Sequence, residues 1–118
     1  LLALAWPDRI ATAFGRIDWA DCGPLSFEAP DHDAFPCLGL AYEAGRRGGT
    51  APAVLNAANE EAVAAFLASR IAWREIPDVL KAVLSRHDGG KADTVEDVIE
   101  ADRRGREAAQ RQIGRITQ

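Results

Sequence analysis

From residue 35 onward, apolar side chains recur at the three- and four-residue spacing of an α-helix, in four successive segments punctuated by glycine and proline. Few folds are open to such a pattern: each segment has one apolar face, and each face must be buried against another helix. The first helix is expected to open at Pro36, where a missing N–H costs nothing. Leu38, Ala41, Tyr42 and Gly45 share one face of it, and Gly48-Gly49 ends it. Thr50 is expected to cap the second helix, with Pro52 in its first turn and a run to about Ser69. Val54, Leu55, Ala58, Ala62, Ala65 and Phe66 point inward, and the many alanines would let another helix approach closely.

The third helix covers about Glu75 to Arg86, with Pro77 in its first turn and Ile76, Val79, Leu80, Val83 and Leu84 on one face. Asp88-Gly89-Gly90 breaks it. Thr94 starts the fourth as an N-cap, with Asp97 three residues on as an Asp variant of the capping box. Val95, Val98, Ile99, Asp102, Ala109, Ile113 and Ile116 follow at helical spacing. Asp93, Glu96, Asp97 and Glu100 crowd its start, and Arg103, Arg104, Arg106, Arg111 and Arg115 fill the rest, the order a helix dipole favours.

Residues 1–34 are different. Pro7, Gly15, Gly23, Pro24 and Pro30 interrupt a segment carrying Trp6, Phe14, Trp19 and Phe27. Leu25-Ser26-Phe27-Glu28-Ala29 alternates with the period of a half-buried strand, and its partner strands are nowhere in the sequence. The expected fold is therefore mainly α: a small four-helix bundle over 35–118, preceded by an irregular linker, 1–34, with one short strand. Its 118 residues are 47% hydrophobic, enough for a core without disulfides or metal. The net charge of −4 gives no drive toward nucleic acid, and no apolar run is long enough for a membrane span. Leu1–Trp6 is too short for a secretion signal and lacks a basic start. With no methionine, even at position 1, the sequence is expected to be a fragment. Cys22 and Cys37 are expected to be reduced thiols of a cytoplasmic protein.

Few residues suggest chemistry. Asp31-His32-Asp33 with Cys37 nearby could suggest a metal cluster, but adjacent residues cannot all face one ion; a polar turn with Asp33 as helix cap is the simpler reading. His87 ends the third helix with no nucleophile spaced to partner it. Gly45-Arg46-Arg47-Gly48-Gly49-Thr50 superficially resembles a phosphate cradle but lacks the Lys-Ser/Thr ending and the preceding strand of a P-loop. The arginines of the last helix follow an acidic turn and have no aromatic neighbours for stacking bases. Asn56 and Asn59 are expected to tie their helix to a neighbouring loop.

The stretches Ala5-Trp6-Pro7-Asp8-Arg9, Leu25–Asp31, Phe35-Pro36-Cys37-Leu38, Gly48–Glu60 (with Leu55-Asn56-Ala57-Ala58-Asn59-Glu60 at its end) and Ala62–Leu67 closely resemble, in order, the C-terminal region of the 1-deoxy-D-xylulose 5-phosphate reductoisomerases. The resemblance covers essentially the whole chain and loosens after residue 70. It implies an oxidoreductase of the methylerythritol phosphate route to isoprenoids, which rearranges 1-deoxy-D-xylulose 5-phosphate with a divalent metal (Mg or Mn) and reduces it with NADPH to 2-C-methyl-D-erythritol 4-phosphate. It also implies that residues 1–34 are the end of the catalytic domain plus a linker, and that 35–118 are the C-terminal helical domain. The family's metal, phosphate and dinucleotide motifs have no counterpart here, so no catalytic, cofactor-binding or metal-ligating residue is assigned, and the fragment alone is expected to be inactive. Its expected partners are the catalytic domain of the same chain and a second copy meeting it through residues 1–34. The alternative is a free-standing helical interaction module.

Overall fold

The computed structural model describes residues 2–8, 10 and 17–117. Among these, five helices follow one another: α1 (Leu2–Ala5), α2 (Pro36–Arg47), α3 (Ala51–Leu67), α4 (Ile76–Arg86) and α5 (Val95–Ile116). The short α1 has no counterpart in the helical pattern of the sequence; the other four are the expected bundle. Proline lies in the first turn of α2, α3 and α4. Thr94 Oγ1 accepts the Asp97 N–H at 3.1 Å while the Asp97 carboxylate accepts the Thr94 N–H at 3.0 Å, so the capping box of α5 forms as expected. A 3₁₀ turn, Trp73–Glu75, leads into α4, and the Glu75 carboxylate accepts the Ala72 N–H at 2.6 Å, serving where no Ser or Thr is present.

Helix α3 lies at the centre and packs on α2, α4 and α5. Val54, Ala58, Ala62 and Ala65 meet Ile76, Val79, Leu80 and Val83 of α4 and Ala109 and Ile113 of α5. Each buried Val, Leu or Ile contributes on the order of 1.5–3 kcal/mol. The alanines do admit a close neighbour. A Cβ on Gly105 of α5 would lie 3.0 Å from both Ala57 Cβ and the Val54 carbonyl oxygen, so α5 rests directly on the α3 backbone.

Three expectations are corrected. The buried side of α2 is Cys37, Leu40 and Ala44, whereas Leu38 and Tyr42 face outward, 39% and 56% exposed. This helix carries two apolar stripes, and periodicity does not choose between them. On α5, Ala109 and Ile113 are buried as expected, but the stripe continues through Gly105 and Ala101 and leaves Val95, Val98 and Ile99 exposed. Leu25–Ala29 is exposed and forms no strand, because no partner strand exists among the described residues to satisfy its backbone.

The bundle and the linker are not wrapped into one ball. The radius of gyration is 18.8 Å, against about 13 Å for a compact chain of some 100 residues. Trp19, Leu25 and Phe27 are exposed along the linker.

Gly45 lies on the exposed side of α2, and an added Cβ would meet nothing within 4 Å. Gly45→Ala should raise the urea midpoint, stabilising the bundle by about 0.5–1 kcal/mol through reduced unfolded-chain entropy.

Candidate functional site

The glycine-rich turn between α2 and α3 is a lock rather than a cradle. Gly48 and Gly49 both have positive φ, +67° and +52°. The Thr50 N–H donates to the Gly90 carbonyl at 3.0 Å, joining this turn to the α4–α5 loop. Thr50 is buried and its Oγ1 sits 3.2 Å from His87 Nε2. It makes no side-chain cap to α3, contrary to expectation, because its backbone is already helical and its hydroxyl faces His87. Arg47 extends the lock by donating to the Leu84 carbonyl at 2.8 Å while pairing with Glu43. The N–H of Thr50 and the side chain of His87 are thus engaged within the fold.

Beside the lock, a cleft of about 930 Å³ opens between the α4–α5 loop and α5. Lys91, Arg111 and Arg115 line it together with Glu96, Asp97 and Glu100, so its walls carry charges of both signs. Among the described residues no group of three His, Cys, Asp or Glu side chains is placed to hold a metal ion.

The arginines of α5 are largely committed to carboxylates. Arg106 pairs with Asp102 on its own helix and reaches Glu60 at 2.6 Å and Glu61 at 3.4 Å on α3. Gln110 donates to Glu61 at 3.0 Å. No local spacing in the sequence marks this bridge, because its partners lie more than forty positions apart. Asn56 is exposed and donates to Glu60 at 3.1 Å, one turn on. Asn59 is half-buried, and among the described residues no hydrogen bond holds its amide and neither asparagine ties α3 to a neighbouring loop; Asn56 makes only the local contact within α3.

Arg103 and Arg104 both bond Glu100 and hold its carboxyl down from an ordinary 4.5 to about 2. Arg106 and Asn56 lower Glu60 likewise, and the Thr94 cap lowers Asp97. A carboxylate with a depressed folded-state pKa contributes stability that is fully present above its unfolded value and is lost as pH falls toward the folded one. The thermal midpoint should therefore fall between about pH 4.5 and 2, and Glu100→Gln should flatten that fall. These groups are exposed, so added salt should shrink the effect.

At the linker end, the Asp31 carboxylate accepts the N–H groups of Asp33 at 3.0 Å and Ala34 at 2.9 Å. The polar turn is present, but Asp31 rather than Asp33 organises it, because a carboxylate reaches N–H groups two and three residues ahead of itself. Phe35 then stands edge-on to Trp73, with ring centroids 6.3 Å apart, pinning the linker to the start of α4. Both cysteines are free: Cys22 is exposed, and burial pushes the half-buried Cys37 thiol up.

Residues 1–108 match the family model described as the DXP reductoisomerase C-terminal domain. The chain belongs to that family. A 1-deoxy-D-xylulose 5-phosphate reductoisomerase of Synechococcus sp. (strain CC9902) is 49% identical over 99% of this chain and 28% of its own length. One from Aromatoleum aromaticum is 50% identical over 94% of this chain and 28% of its own. A reductoisomerase structure from Zymomonas mobilis in complex with NADPH superposes with a TM-score of 0.86 at 38% identity, covering 95% of this chain and 30% of that one. A DOX-P reductoisomerase structure in complex with NADPH, fosmidomycin and magnesium gives 0.86 at 38% identity over 98% of this chain and 31% of that one. The chain thus spans under a third of the length of the relatives it matches. As a member of the DXP reductoisomerase C-terminal family, it has the helical architecture the resemblance implied.

Proposed function

We propose that this chain is the non-catalytic C-terminal domain of a 1-deoxy-D-xylulose 5-phosphate reductoisomerase, bracing an enzyme that forms 2-C-methyl-D-erythritol 4-phosphate. The observation that carries this reading is the match of residues 1–108 to the family's C-terminal domain. The NADPH and magnesium named for the solved relatives would be held by the preceding domains. The described residues here do not suit either group: the α5 arginines and their carboxylates neutralise each other, and the glycine turn is closed on Gly90. Substrate chemistry is accordingly assigned to no residue of this chain. Calorimetric titration of the 118-residue chain with NADPH and with manganese should give no stoichiometric isotherm; micromolar binding of either would overturn the reading.

The catalytic domain of the same polypeptide is the proposed partner, in the cytoplasm, with neither nucleic acid nor membrane involved. Among the described residues no helix is long and apolar enough to cross a membrane. Without that domain, exposed Trp19, Leu25 and Phe27 favour self-association through residues 1–34. Light scattering should show concentration-dependent assembly that deletion of residues 1–30 removes; a monomer at the highest concentrations would contradict it.

A further inference from the structure

We propose that the outward face of α2, centred on Leu38 and Tyr42, is the seat of the domain that precedes the linker in a full-length reductoisomerase. The proposal rests on the functional reading above and adds the surface that makes the contact. From Phe35 to Tyr42 the sequence has no charged residue: Phe, Pro, Cys, Leu, Gly, Leu, Ala and Tyr. A helix apolar all round is one that is buried all round. The bundle covers only the side of Cys37, Leu40 and Ala44, and leaves Phe35, Leu38 and Tyr42 exposed. The outer face of α5 shows what a solvated face looks like here, with Glu100, Arg103, Arg104 and Glu107 joined in ion pairs. Helix α2 has no such dressing until its last turns, where Arg46 lies over the Tyr42 ring, 5.7 Å from its centroid.

The occupant follows from connectivity. The matched model is a C-terminal domain, and most of the length of the relatives lies outside the match. That mass is tethered through the linker to Pro36, the first residue of α2. A tethered domain meets this face at an effective concentration that a free second copy reaches only in concentrated solution. The Phe35–Trp73 contact fixes where the linker leaves the bundle, next to the same face.

Hydroxyl-radical footprinting read by mass spectrometry tests the contact. The two samples are the 118-residue chain and the Synechococcus enzyme carrying this chain in place of its own C-terminal segment. Leu38 and Tyr42 should react freely in the isolated chain at low concentration and several-fold more slowly in the full-length protein. Equal reactivity in both overturns the proposal. Protection that appears in the isolated chain as its concentration rises also overturns it, and assigns the face to a second copy. Turnover by the same chimera reports separately on the functional reading, so a protected face in a folded but inactive chimera supports the contact while refuting the reductoisomerase assignment.

Discussion

Gly105→Leu is expected to remove about 3 kcal/mol of stability, the upper range for overpacking a well-filled core. A Cβ there would already stand 3.0 Å from the Val54 carbonyl oxygen and 3.2 Å from Val54 Cα, and neither can yield as the tip of a flexible side chain would. Leucine adds three more carbons to a seam with no space, forcing α3 and α5 apart and opening the layer around Ala57, Ala109 and Ile113. Gly105→Ala should cost less, because alanine regains up to about 1 kcal/mol of helix propensity against the same contact. Urea unfolding of both variants checks the order. An unchanged midpoint for the leucine variant would mean that α5 does not rest on α3 as described.

Gly49→Ala should cost about 2–3 kcal/mol, combining left-handed backbone strain with loss of a buried hydrogen bond. Its φ is +52°, and a Cβ would fall 2.1 Å from the Gly90 carbonyl oxygen, the acceptor of the Thr50 N–H. Gly48 is the internal control, with φ +67° and open space around an added Cβ. With ψ at −154°, Gly48 lies in a region that glycine alone adopts readily, so Gly48→Ala should destabilise through backbone strain alone, and by less than Gly49→Ala, which adds the collision with Gly90. Thermal midpoints for the pair separate the two causes. Equal effects at positions 48 and 49 would rule out the steric lock.

The four long helices were legible because Pro36, Pro52, Pro77 and Thr94 mark starts, and glycine or a polar break marks ends, in ways that depend only on neighbouring residues. The faces were less legible. On α2 two apolar stripes compete, and only the placement of α3 and α4 decides that Leu40 and Ala44 turn inward. On α5 the periodicity marks Ala109 and Ile113 correctly, but towards the start of the helix the small residues Ala101 and Gly105 form the buried seam while the larger Val95, Val98 and Ile99 face outward. The Arg106 bridge and the Thr50–Gly90 lock join residues distant in sequence, so periodicity cannot show them. The lack of a strand at Leu25–Ala29 has a different cause: alternation states a capacity to pair, and pairing requires another strand.

On the proposed function, this domain supports a reductoisomerase without contributing reacting groups. The most direct test is turnover by the Synechococcus enzyme whose C-terminal segment, 28% of its length, is replaced by this chain. NADPH-dependent turnover should be close to that of the parent enzyme, with any deficit appearing as lower thermal stability. A chimera that folds and binds NADPH yet fails to turn over would contradict it.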